Sequence, residues 1–283
     1  MRVWFITGAS RGFGALIAAE ALASGDAVVA TARNPADVTA KLGEHPRLLA
    51  AKLDITQESQ AREAVEAAVQ RFGRIDVLVN NAGFGLLGAV EEASAQDVER
   101  VFRTNVFGLL TVTRAVLPRM RQQRSGHILN FSSIGGYASA PGWGVYCATK
   151  FAVEGLSEAM AGELAPLGVH VTIVEPGYFR TDFLDGQSLA VSRERITDYD
   201  GTSGAIRQHA QAMNHSQPGN PAKLARAIVT LVNAPQPPLR LALGSDTLER
   251  IAEKNREVNR ELEAWRALSL STDGFEETQG AHA

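Results

Sequence analysis

The chain has 283 residues, 45% of them hydrophobic and 21% charged, with a net charge of −3 and a pI near 6.1. Such a chain builds a sizeable core, which excludes a fibrous or disordered polymer, and it offers no broad basic surface for nucleic acid or an anionic membrane. Cys147 is the single cysteine, which excludes an intrachain disulfide and a cysteine-built metal site and fits a reducing cytosol. The histidines show no metal-ligand spacing, no basic-then-apolar leader opens the chain, and no apolar run approaches the ~20 residues of a membrane span. A soluble, cytoplasmic protein is expected.

In chain order, short β-rich apolar runs occupy 3–7, 27–32, 47–53, 76–80, 127–131, 170–175 and 239–243. Helical patterns at 15–24 and 58–72 alternate with them as crossovers, and together they predict one α/β domain over 1–265, a doubly wound parallel sheet with helices on both faces. A longer helix is expected over 94–120, with Ser94 as N-cap and Asp97 three places on, becoming apolar on most faces in its second half. Residues 182–220 are polar and weakly periodic, which predicts a mobile, substrate-covering insertion before a helix that starts near Pro221. The stretch from 266 to 283 has little apolar content and reads as a flexible tail.

The segment TGASRGFG (7–14) follows the first strand and opens a helix, the context in which glycines cradle a pyrophosphate. Gly8 permits the tight turn, and Gly12 and Gly14 let the backbone and the helix N-terminus approach the anion. The second strand ends in ATARN, without the acidic residue that would accept from a free ribose 2′-hydroxyl. Arg33 and Arg11 instead offer guanidinium groups suited to a 2′-phosphate, favouring NADP(H) over NAD(H).

VYCATKF (145–151) sets Tyr146 and Lys150 one helical turn apart on the same stripe. A tyrosine with an ordinary pKa near 10 is a poor proton carrier at neutral pH. The Lys150 ammonium, and a nicotinamide ring when oxidised, are expected to lower that value, making Tyr146 a general acid and base.

The spacing T-G-x-x-x-G-x-G, the pair Y-x-x-x-K, a serine thirteen residues before the tyrosine, NNAG (80–83) and P-G-x-x-x-T (176–181) together resemble the short-chain dehydrogenase/reductase family. VYCATKFAVEGLSEAMAGELAPLGVHV is most like its 17β-hydroxysteroid and retinol dehydrogenase branch. The resemblance implies a Rossmann-type domain that moves a hydride between a nicotinamide and a carbonyl or secondary alcohol. It implies that Ser133 assists Tyr146 and Lys150 in catalysis and that Asn105 fills the family's fourth catalytic position. For the cofactor it implies Gly8, Ser10, Arg11, Gly12, Phe13 and Gly14 at the phosphates, with Arg33 at the ribose. Asp54 and Ile55 lie at the adenine, Asn81, Ala82 and Gly83 along the ribose, and Pro176, Gly177 and Thr181 at the nicotinamide. Family members are commonly dimers or tetramers, so a homodimer or homotetramer is expected.

Apolar pocket candidates Phe84, Leu86, Tyr137, Trp143, Tyr178, Phe183 and Leu184 point to a hydrophobic ketone, aldehyde or alcohol. Ser132 reads as a structural strand-end hydroxyl, Cys147 as a small core residue, and His209 and His215 as solvated and partnerless. Two rival functions stay open: a catalytically silent NADPH sensor on the same fold, and a sugar-nucleotide epimerase or dehydratase.

Overall fold

Seven apolar runs become the seven strands of one sheet in a computed structural model that describes residues 1–274. The first half runs β1 (Val3–Thr7), α1 (Gly12–Ala23), β2 (Ala27–Ala32), α2 (Pro35–Leu42), β3 (Leu48–Lys52), α3 (Glu58–Phe72) and β4 (Val77–Asn80). Next come β5 (Gly85–Leu87), α4 (Ala95–Phe102), a π-helical stretch Arg103–Gly108, α5 (Leu109–Gln123), β6 (Gly126–Phe131), α6 (Gly144–Leu164) and β7 (Val169–Pro176). The chain ends with β8 (Leu189–Val191), α7 (Ala205–Met213), α8 (Pro221–Val232), β9 (Arg240–Leu243) and α9 (Ser245–Leu270).

The sheet is parallel throughout, in the order β3-β2-β1-β4-β6-β7-β9. Burial on both faces explains why its strands read as continuous apolar runs and not as alternating ones. Trp4, Ile6, Val28, Val79 and Leu129 pack on one face with α1 and α8. Val3, Phe5, Val29, Leu78 and Ile128 pack on the other with α3, α5 and α6. Each such side chain contributes about 1.5–3 kcal/mol when fully buried. The strand order reverses between β1 and β4, so the connections leaving their carboxyl ends run to opposite sides and open a crevice at the sheet rim.

Three expectations change. The long helix opens at Ser94, whose hydroxyl accepts from Asp97 N at 3.1 Å, but it is not one α-helix: the π-helical stretch interrupts it around Asn105. Residues 182–220 contain regular structure, since β8 pairs in parallel with β5 in a separate small sheet and α7 follows; a three-residue strand is too short for a periodic signal. At the carboxyl end α9 continues to Leu270, where fraying was expected from 266, because its sequence is rich in strong helix formers. The expectation for 275–283 lies outside the described residues.

Candidate active site

A cleft of about 1510 Å³ runs along the sheet's carboxyl rim. At its β1 end Gly8 and Gly12 take left-handed φ values of +66° and +55°, which L side chains adopt only with strain. Arg11 is the N-cap of α1 and gives no side-chain cap, which leaves first-turn amides free to bind an anion. A Cβ on Gly12 would meet nothing within 4 Å, so the approach to that backbone is open. Asn81 ties the loop down, its Nδ2 donating to Thr7 O at 2.9 Å and Gly8 O at 3.1 Å, while Asn81 N and Ala82 N donate to Thr7 Oγ1, each at 3.0 Å. Gly14 does not line the cleft; a Cβ there would lie 2.4 Å from Gly8 O, so its role is close packing of helix on loop.

Ser10, Arg11, Phe13, Arg33, Asp54, Ile55, Asn81, Ala82 and Gly83 all face the same cleft. Arg33 is exposed and has no ion-pair partner among the described residues. Arg11 is already engaged: its guanidinium donates to Gln187 Oε1, to Gln187 O at 3.0 Å and to Ser188 Oγ at 2.8 Å, bridging the glycine loop to residues 187–188. Asp54 Oδ1 accepts from Thr56 N at 2.9 Å and Thr56 Oγ1 at 2.7 Å, a turn cap that still borders the cleft. Ile55 packs where Gly108 lacks a Cβ.

At the far end Ser133, Tyr146 and Lys150 converge on the cleft. Ser133 lies two residues past the end of β6 and caps the turn at 134–136, its Oγ accepting from Gly135 N at 3.1 Å. Lys150 Nζ donates to Phe131 O at 2.8 Å and sits 5.7 Å from the Tyr146 ring centroid. The phenol does not show the acidic shift expected from the sequence. Burial dominates and pushes Tyr146 above its ordinary value, while the Ser133 hydroxyl opposes the rise. Burial likewise lowers Lys150 to about 8, against the pull of Glu154.

Asn105 does not line the cleft. Its Oδ1 accepts from Phe84 N at 3.0 Å, and its Nδ2 donates to Phe84 O at 2.9 Å and Thr149 Oγ1 at 3.1 Å. It therefore ties the loop after β4 to α6. Asn80 Nδ2 donates to Asn130 Oδ1 at 2.9 Å and joins two strands.

Pro176, Gly177 and Thr181 border the cleft. Thr181 Oγ1 accepts from Phe183 N at 3.3 Å. Gly177 leaves room for Asp246, whose Oδ2 accepts from Tyr178 N at 2.7 Å. Phe84, Trp143, Tyr178, Phe183 and Leu184 line the pocket, but Leu86 and Tyr137 do not. Leu86 is buried where β5 meets β8, and Tyr137 turns toward α9, its hydroxyl donating to Asn255 Oδ1 at 2.6 Å. Cys147 is buried against Gly135 but also borders the cleft beside Tyr146. His215 is not partnerless, since its Nε2 lies 3.3 Å from Asp185 Oδ1. Gln187, Ser188 and Asp246 were missed from the sequence because they stand in no motif and reach the cleft only through tertiary contacts.

The short chain dehydrogenase family model matches residues 2–190. The chain belongs to the short-chain dehydrogenase/reductase family. It is therefore an oxidoreductase of that family. It is 39% identical over 274 residues to Oxidoreductase BOA17 of Botryotinia fuckeliana, covering 96% of this chain and 99% of that one. It is also 39% identical over 244 residues to a 3-ketodihydrosphingosine reductase of Bacteroides thetaiotaomicron, covering 86% and 88%. A short-chain dehydrogenase from Streptomyces avermitilis superposes with a TM-score of 0.89 at 41% identity, covering 96% and 100%. Two further neighbours hold nicotinamide cofactors. A 3-ketoacyl-(acyl-carrier-protein) reductase from Brucella melitensis is complexed with NADH (TM-score 0.70, 28% identity, 86% and 96% covered). A serine dehydrogenase is complexed with NADP+ (TM-score 0.71, 29% identity, 85% and 94% covered). Among the described residues no helix is long and apolar enough to cross a membrane, and no cluster suits a metal ion.

Proposed function

We propose that this protein is an NADPH-dependent carbonyl reductase for a hydrophobic ketone or aldehyde, with Tyr146 as its proton donor. The observation that carries the proposal is the convergence of Ser133, Tyr146 and Lys150 at one end of a cleft whose other end holds an uncapped helix N-terminus and Arg33. An open backbone at Gly12 and a cleft lined from Ser10 to Thr181 fit a nicotinamide dinucleotide. Gly8, Ser10, Gly12 and Phe13 would hold the pyrophosphate, Asp54, Ile55, Asn81, Ala82 and Gly83 the adenosine, and Pro176, Gly177 and Thr181 the nicotinamide. Arg33, free of a carboxylate, suits a 2′-phosphate. The bound cofactor supplies the hydride.

The protein handles the proton. A phenol held above its ordinary pKa is fully protonated at neutral pH, which is the form reduction requires. Ser133 donates a hydrogen bond to the substrate oxygen as negative charge builds there, and Tyr146 then gives up its proton. Lys150, one turn away, stabilises the resulting phenolate. Asn105 acts by position, holding Phe84 and α6 in register.

Trp143, Tyr178, Phe183 and Leu184 favour an apolar substrate, and the 3-ketodihydrosphingosine reductase relative supports a long-chain ketone, with steroid and retinoid carbonyls next in the panel. Residues 1–265 would form the catalytic unit, with 182–220 covering the substrate, in a cytoplasmic homodimer or homotetramer. Phe107 and Phe151, 57% and 46% exposed on the helical face, support that assembly. Initial rates of NADPH and NADH oxidation across long-chain ketones, steroids, aryl ketones and aliphatic aldehydes test the proposal. Turnover with NADPH on an apolar carbonyl is expected; tight NADPH binding without turnover on any of them would indicate the sensor instead.

A further inference from the structure

Behind the reactive groups lies a second set of titratable side chains. Glu154 continues the α6 stripe one turn beyond Lys150, Glu175 stands just before Pro176 at the end of β7, and Arg240 opens β9. The Glu154 and Glu175 side chains are 7% and 1% exposed. Arg240 Nη2 lies 3.3 Å from Glu154 Oε2 and its Nε lies 3.2 Å from Glu175 Oε1, while the same guanidinium also pairs with the half-exposed Glu158. One cation thus faces three carboxylates, and two of those are buried and within hydrogen-bonding reach of each other. Glu154 Oε2 and Glu175 Oε1 have only the Arg240 ion pair, and Glu154 Oε1 and the Ser132 hydroxyl are buried without an aligned hydrogen bond. Native interiors rarely leave such groups unpaired.

We propose that Glu154 and Glu175 share a single proton and act as a positioning pair, locking α6, the end of β6 and the end of β7 together behind Tyr146, Lys150 and Ser133. Two buried carboxylates in contact cannot both ionise cheaply, and a shared proton gives each a partner. Burial and the neighbouring Glu154 charge raise Glu175 to about 7. The remaining charged groups facing the pair are Lys150 and Glu158 on α6 and Arg240 on β9; the residue after β6 is the neutral Ser132, and residues 134–136 carry no charge. When the proton leaves, repulsion pushes α6 and the end of β7 apart and sets an extra negative charge against Lys150.

A carboxyl whose folded pKa is raised stabilises the fold fully below its unfolded value, ~4.3, and loses that contribution as pH rises through the folded value. Glu175→Gln, an isostere of the neutral acid, should therefore match the wild type in Tm near pH 4, gain on it as pH rises, and exceed it by roughly 5–8 °C at pH 8. The infrared spectrum of the free wild-type protein at pH 6 should contain a protonated-carboxyl C=O band that is lost in Glu175→Gln. If that variant does not fold, Glu154→Gln serves, with the same expectation. In kinetics, which rest on the reductase reading, kcat/KM of the wild type should fall severalfold between pH 6.5 and 8.5 by an ionisation that Glu175→Gln lacks. No protonated-carboxyl band above pH 5, or a Tm difference that does not vary with pH, would overturn the pair. If both arms on the free protein hold while no carbonyl is turned over, the reductase reading fails and the pair stands.

Discussion

The rim that carries Ser133, Tyr146 and Lys150 is held by apolar burial on both faces of a parallel sheet, whereas residues 182–220 are held by a small apolar cluster, Leu189, Ile206 and Ala210 against Leu87 and Trp143, together with polar clasps. Asn130 and Leu129 in β6 are fully buried. The 182–220 segment is also fixed through Arg11 to Gln187 and Ser188, through Asn214 Nδ2 to Asp185 Oδ1 at 2.6 Å and through Arg207 Nη1 to Glu92 Oε2 at 2.5 Å. Dense packing tolerates little displacement, while solvent-accessible hydrogen bonds open at low cost. Ser133, Tyr146 and Lys150 thus sit on the stiffer layer and residues 182–220 form the more compliant one. The contrast teaches that substitutions on the two sides should separate into effects on chemistry and effects on entry.

The largest structural effect is expected at the one deeply buried clasp. Glu92 accepts from Ala89 N at 2.8 Å and Ile196 N at 3.1 Å besides pairing with Arg207. Glu92→Ala leaves Arg207 without its counterion and should cost about 3–5 kcal/mol. Hydrogen exchange should quicken over 192–207 while the amides of β4 and β6 keep their protection; uniform loosening would erase the contrast. Next, Arg33→Asp should raise the NADPH Kd about 100-fold, near 3 kcal/mol, and leave NADH binding nearly unchanged in titration calorimetry. Equal losses for both cofactors would remove the 2′-phosphate assignment. Gly14→Ala drives a methyl against Gly8 O and Asn81 Nδ2, an overpacking that should cost about 1–3 kcal/mol in chemical denaturation. The smallest effect belongs to Gln187→Ala at an exposed clasp, about 1 kcal/mol or less, which should appear as a change in KM below fivefold with kcat retained.

The sheet was legible because its strands are buried on both faces, so the apolar runs at 3–7 and 27–32 end where β1 and β2 end. The glycine loop and the Tyr146–Lys150 stripe were legible because each is set by local spacing, within one turn or one helical repeat. Residues 182–220 were not, because β8 gains its identity only by pairing with β5 and α7 only by packing near Trp143 and Leu87. Spacing reports that Lys150 lies near Tyr146, whereas the burial that raises the phenol of the free protein is a tertiary property that spacing does not carry.

The central claim is that the Tyr146 hydroxyl delivers the proton. Its most direct test is Tyr146→Phe, which keeps the ring packed against Trp143 and Phe183 at centroid distances of 5.7 and 5.8 Å and removes one oxygen. With the best carbonyl substrate and saturating NADPH, kcat should fall about 10²–10⁴-fold while the NADPH Kd stays within about threefold, near 0.6 kcal/mol. A variant that reduces the substrate at the parental rate would contradict the account.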